Sequence, residues 1–72
     1  MSPDKLAYMA NQIGKFFAHQ PQDKAVASIV NHIDRFWDPR MRRTIIANFD
    51  AVKLDPLVRQ AVLQLREHQV AS

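Results

Sequence analysis

The chain has 72 residues with a formal net charge of +3, and 47% of them are hydrophobic, but it contains only one glycine and no cysteine. This length predicts a single domain over residues 1–72, and the absence of cysteine excludes disulfides and thiolate metal sites. One glycine is too few for a turn-rich β fold, and the apolar content is too high for a disordered chain. The sequence has no apolar run long enough to cross a bilayer and no secretory signal, so we expect a cytoplasmic protein.

Proline residues indicate where helices begin. Three dipeptides place a good N-cap residue before a proline, which suits the first helical position because its missing N–H would have no partner there. They are Ser2-Pro3, Asp38-Pro39 and Asp55-Pro56. Pro21 with Asp23 indicates a looser fourth start. We therefore predict four helices, over about residues 3–19, 22–37, 39–51 and 56–69.

Apolar residues recur at helical spacing in each of these segments. The stripes are Leu6, Ala10, Ile13 and Phe17; Val26, Val30, Ile33 and Trp37; Met41, Ile45, Phe49 and Val52; and Leu57, Val58, Ala61, Val62 and Leu65. The fold class is therefore all-α, a small bundle of about four short amphipathic helices. Such a core is marginal, since ordering each residue costs roughly 1.5 kcal/mol, and a partner would add stability.

The first two helices share a repeated segment. Asn11–Phe17 aligns with Asn31–Trp37, twenty residues later. The similarity indicates either an internal duplication that presents two equivalent faces or a chance match between amphipathic helices.

Each copy of the repeat ends in two adjacent aromatic residues. Neighbours on a helix point about 100° apart, so Phe17 and Trp37 lie on the apolar stripes while Phe16 and Phe36 lie at their margins. The marginal pair indicates either a wide core or a second, exposed surface.

Arg40, Arg42 and Arg43 begin the third helix, where the helix dipole disfavours positive charge. They either pair with Asp34 or Asp38, or bind a carboxylate or phosphate of a partner. The neighbouring acids weaken the case for nucleic acid.

No segment carries a catalytic motif. His19, His32 and His68 are too far apart in sequence for a helical metal-binding pair. Gly14 lies inside the first helix, so it forms no phosphate-binding loop; it indicates close packing against another helix, or it is merely tolerated. We therefore expect no catalytic, metal-binding or cofactor-binding residue and no enzymatic activity of the chain on its own.

Three segments resemble the delta subunit family of NAD-dependent formate dehydrogenases. They are Met9–Phe17, Phe36–Arg42 and Leu54–Val62, and the second is the most specific. The resemblance covers nearly the whole chain and implies a soluble, multi-subunit oxidoreductase that oxidises formate and passes electrons to NAD. By the same resemblance, its large subunits hold bis-molybdopterin guanine dinucleotide with molybdenum or tungsten, iron–sulfur clusters and FMN.

The resemblance also implies a non-catalytic accessory subunit that docks on the large subunits and aids assembly, stability or regulation. Aromatic and arginine side chains are enriched at interface hot spots. The predicted partner-binding residues are therefore Phe16, Phe36, Trp37, Arg40, Arg42 and Arg43. The isolated chain could hide the same surface in a homodimer. The alternative function is a small basic helical module that binds nucleic acid through these arginines.

Overall fold

The computed structural model describes residues 2–71 and folds them into four helices. These are α1 (Pro3–Phe17), α2 (Gln22–Phe36), α3 (Pro39–Ala47) and α4 (Pro56–Ala71). Residues 2–71 contain no strand, so the predicted all-α class is confirmed, and each helix begins at its predicted residue. No helix within this range is long and apolar enough to cross a membrane.

Ser2 and Asp38 cap the helices that they precede. Ser2 Oγ accepts a hydrogen bond from the Lys5 N–H at 3.2 Å, and Asp38 Oδ1 accepts one from the Met41 N–H at 2.9 Å. Each bond satisfies one backbone donor that the first turn of a helix leaves free. The capping role predicted for Asp38 is confirmed, while α2 begins after Pro21 without a side-chain cap.

The third helix is shorter than predicted. It ends at Ala47, whereas the apolar periodicity predicted a helix to residue 51. Asn48 ends the helix, because its backbone N–H is shared between the Thr44 and Ile45 carbonyls and its side-chain amide donates to the Thr44 carbonyl at 2.8 Å. Asparagine commonly competes with helical hydrogen bonds in this way. Residues 48–51 therefore continue as turns.

The core draws on all four helices. Its largest fully buried side chains are Leu6, Ile29, Ile33, Ile45, Val58 and Val62. The most extensive pairing is between α2 and α4, and α1 packs against each of the other three helices. The predicted apolar stripes thus meet in one hydrophobic core, which fixes the positions of α1 and α2 relative to each other.

Gly14 lets α4 approach α1 closely. The residue is buried, and a Cβ atom built on it would lie 2.5 Å from Val58 Cγ2 and 3.8 Å from Ile29 Cδ1. The first of these distances is shorter than real Cβ contacts, so a side chain at position 14 would force Val58 to shift. The close helix packing expected at Gly14 is confirmed.

Asn11 makes a second link between α1 and the segment that leads into α4. Its side-chain amide donates to the Lys53 carbonyl at 2.9 Å, and its side-chain oxygen accepts from the Asp55 N–H at 2.9 Å. One side chain therefore satisfies two backbone groups of the connection and ties that connection to α1.

Candidate docking surface

Phe16 and Phe36 are exposed although both are large apolar side chains. Each is 72% exposed, and each occupies the same position in its copy of the repeated segment. Their neighbours turn inward: Phe17 is half-buried and packs against the core, and Trp37 is only 5% exposed. Of the two interpretations of the marginal pair, the structure therefore supports a second surface rather than a wide core.

Four aromatic side chains form one continuous row on this surface. The ring centres of Phe16 and Phe17 are 5.0 Å apart, those of Phe17 and His32 are 6.3 Å apart, and those of His32 and Phe36 are 4.7 Å apart. The first two contacts are edge-to-face, an arrangement that aromatic rings prefer. We call these four residues the aromatic row; it runs from the end of α1 across to the end of α2.

The connection between α1 and α2 holds the row in place. His19 Nδ1 donates to the Phe16 carbonyl at 3.1 Å, and the Gln20 N–H donates to the Phe17 carbonyl at 3.1 Å. Ser28 Oγ of α2 donates to Gln20 Oε1 at 2.9 Å. These bonds occupy carbonyls at the end of α1 and join the connection to α2, so the two halves of the row share one rigid support.

Arg42 has a structural role at the end of α2. Its Nη1 donates to the Asp34 carbonyl at 3.2 Å and also to the Trp37 carbonyl. Helix C-termini favour cations that satisfy their last carbonyls. Over the residues that the structure describes, neither the Asp34 nor the Asp38 carboxylate forms an ion pair with an arginine, so backbone capping takes the place of the pairing that the sequence suggested.

The structure divides the six predicted partner-binding residues into two groups. Four of them are accessible on the surface: Phe16, Phe36, Arg40 and Arg43. The other two are engaged in the fold, since Trp37 is buried in the core and Arg42 is half-buried against the end of α2. Their burial disfavours direct contact with a partner, and the binding role of the accessible four stays a prediction.

Sequence reasoning missed the centre of the aromatic row. His32 was considered only as a metal ligand, yet it lies between Phe17 and Phe36. The signal was available, because His32 and Phe36 are four residues apart and such pairs share a helix face.

An open groove of about 460 Å³ lies between α2 and α4. Its polar lining comes from Asn31, Asp34, Gln64 and His68. Among the described residues, no group of three or more His, Asp or Glu side chains is placed to hold a metal ion. We assign no catalytic arrangement to this groove.

The fold and the aromatic row define a class: small all-α proteins with an exposed row of aromatic side chains. Residues 5–62 match the family described as NADH-dependent formate dehydrogenase delta subunit FdsD. The chain belongs to this family, and the resemblance noted in its sequence is confirmed. Neither the comparison with curated proteins nor the comparison with solved structures gives a match.

Proposed function

We propose that this delta subunit is a non-catalytic accessory chain that docks on the large subunits of its formate dehydrogenase through the aromatic row. Docking would aid assembly, stability or regulation of the complex. The observation that carries the proposal is the equal, 72% exposure of Phe16 and Phe36 on one continuous row. Single exposed apolar residues are ordinary on monomers, but contiguous apolar surface is typical of interaction sites.

Burial of the row would supply part of the free energy that specific binding needs. Burying an exposed phenylalanine side chain contributes roughly 1.5–3 kcal/mol. Two such rings would supply a large part of the roughly 8 kcal/mol that a micromolar complex needs. The half-buried rings between them, Phe17 and His32, are already held by the fold. Aromatic side chains also lose few rotamers on binding, because they have only two rotatable bonds.

Arg40 and Arg43 would extend the contact beyond the row. Both are exposed at the start of α3. The planar guanidinium of arginine binds a carboxylate through two parallel hydrogen bonds. In this proposal, the two arginines bind carboxylates of the partner and so fix the orientation of the docked chain.

The redox groups of the complex belong, in this proposal, to its large subunits. A chain without cysteine offers no thiolate to an iron–sulfur cluster. The proposal includes a cytoplasmic location, which fractionation of a native extract would test.

The test is binding of the full chain to a formate dehydrogenase complex produced without its delta subunit. Replacing both Phe16 and Phe36 with serine should weaken binding at least about tenfold, since loss of one buried hot-spot ring costs more than 1.4 kcal/mol. The matched control is Tyr8→Ser, because Tyr8 is 64% exposed and lies on α1 about 12 Å along the axis from Phe16.

Three results are distinguishable in this experiment. Loss of binding in the double serine variant alone supports docking through the row. Equal binding of all three proteins means that the docking surface lies elsewhere. Failure of the unmodified chain to bind overturns the proposed function.

A further inference from the structure

We infer that the aromatic row binds an apolar surface of a large subunit that is bordered by aspartate and glutamate side chains. This inference rests on the proposed function and specifies the chemistry of the partner. It follows from the way in which charge is distributed around the row.

A cation stands beside each exposed ring of the row. Lys15 precedes Phe16 on α1, and Arg35 precedes Phe36 on α2, so the two cations occupy the same position of the repeat. Both side chains are exposed. In the part of the chain that the structure describes, the one ion pair is formed elsewhere, between Arg59 and Asp50, so neither Lys15 nor Arg35 forms an ion pair there.

The acidic residues of α1 and α2 lie away from the row. Asp4 and Asp23 are in the first turns of their helices, whereas the three phenylalanines of the row are in the last turns. Asp34 is two residues from Phe36, which turns it about 160° around the helix, and it lines the groove toward α4 instead. Around the row, α1 and α2 each carry one exposed cation and no carboxylate between the rings. Asp55, which precedes α4, lines a surface pocket together with Lys15 but forms no ion pair with it.

Protein interfaces commonly combine an apolar centre with a polar rim, and the charges of the two rims are complementary. An aromatic centre with a cationic rim therefore fits an apolar surface with an acidic rim. A nucleic-acid surface would instead need a line of cations that follows the phosphates, and the row has one adjacent cation on each helix.

The experiment reverses the charges at the rim and leaves the rings intact. Lys15→Glu with Arg35→Glu should slow association with the delta-free formate dehydrogenase complex about tenfold at low ionic strength. The difference should shrink as salt is added, because screening removes the steering effect. The control is Lys24→Glu with Lys53→Glu, which changes the net charge equally at exposed positions away from the row.

Each outcome decides the inference. A slower, salt-dependent association of the rim variant, with the control close to the unmodified chain, supports it. Equal association rates for the two double variants overturn the acidic rim while leaving the proposed function intact. Absence of binding by the unmodified chain overturns the proposed function itself. Tighter binding to a single-stranded oligonucleotide than to the complex, lost in the rim variant, assigns the row to nucleic acid and overturns the inference. Self-association through the row that the complex does not displace assigns the row to a second copy and also overturns it.

Discussion

Gly14 of α1 faces Val58 of α4 so closely that a Cβ atom at position 14 would lie 2.5 Å from Val58 Cγ2. Val58 is fully buried. Because valine is β-branched, it has one strongly preferred rotamer in a helix and cannot turn away at little cost. The absence of a side chain at position 14 therefore determines how closely α1 and α4 pack.

Replacing Gly14 with alanine should lower the free energy of unfolding by about 1–2 kcal/mol. Alanine gains about 1 kcal/mol over glycine in a helix, but over-packing a core costs about 1–3 kcal/mol, and the closeness of this contact places the cost at the upper end. Urea denaturation of the full chain measures the difference. In a double variant with Val58→Ala the clash is removed, so the combined cost should be smaller than the sum of the two single costs. A Gly14→Ala protein more stable than the unmodified chain would contradict the role of this contact.

The helix starts could be predicted from the sequence because their causes are local. Asp38 and Pro39 supply the cap and the first helical residue within two positions. The end of α3 was harder to predict, because the apolar periodicity continues beyond it. The helix ends where the Asn48 side chain donates a hydrogen bond to the Thr44 carbonyl. The bonds of Asn11 to Lys53 and Asp55 span more than forty residues, and no local pattern indicates them.

Replacing Asn11 with alanine should destabilise the protein by about 1 kcal/mol. The change removes hydrogen bonds to the Lys53 carbonyl and the Asp55 N–H, which are worth about 1 kcal/mol each, and alanine's better helix propensity recovers part of the loss. The matched control is Asn31→Ala, because Asn31 occupies the same position of the repeat but is exposed. We expect the control to stay within about 0.5 kcal/mol of the unmodified protein. Equal melting temperatures for the two variants would show that the Asn11 bonds contribute nothing.

Replacing Arg42 with alanine should cost about 1 kcal/mol of stability, whereas Arg43→Ala should cost less than about 0.5 kcal/mol. Arg42 caps the end of α2 through the Asp34 and Trp37 carbonyls. Its Nε is buried without a partner among the described residues, and this unsatisfied donor reduces the stability that the two bonds contribute. Arg43 is exposed. Thermal unfolding followed by circular dichroism compares the two, and each 1 kcal/mol corresponds to a shift of about 4–8 °C at this chain length. If Arg43→Ala proved the more damaging change, the assignment of the two arginines would be reversed.

The sequence indicated which aromatic rings lie on the apolar stripes and which lie at their margins, for a geometric reason. Helical periodicity gives the angle between Phe36 and Trp37, so it separated an inner from an outer ring. Periodicity also placed Trp37 on the apolar stripe, where the structure buries it. Its place among the predicted partner-binding residues came instead from the enrichment of aromatic side chains at interfaces. The structural role of Arg42 could not be predicted from periodicity, because its bond to the Asp34 carbonyl forms only when the start of α3 lies against the end of α2.

The isolated chain should self-associate weakly, and serine at both Phe16 and Phe36 should make it monomeric. Two rings that are 72% exposed leave apolar surface in water, and a second copy in a two-fold dimer would cover both rings of each chain at once. Sedimentation equilibrium over a range of concentrations should give a rising average mass for the unmodified chain and a constant 8.3 kDa for the double variant. Tyr8→Ser should behave like the unmodified chain.

Because the two rings are exposed, the double variant should keep its free energy of unfolding within about 0.5 kcal/mol at concentrations where both proteins are monomeric. An unmodified chain that stays monomeric throughout would contradict the prediction, and equal association of the double variant would place the self-contact on another face.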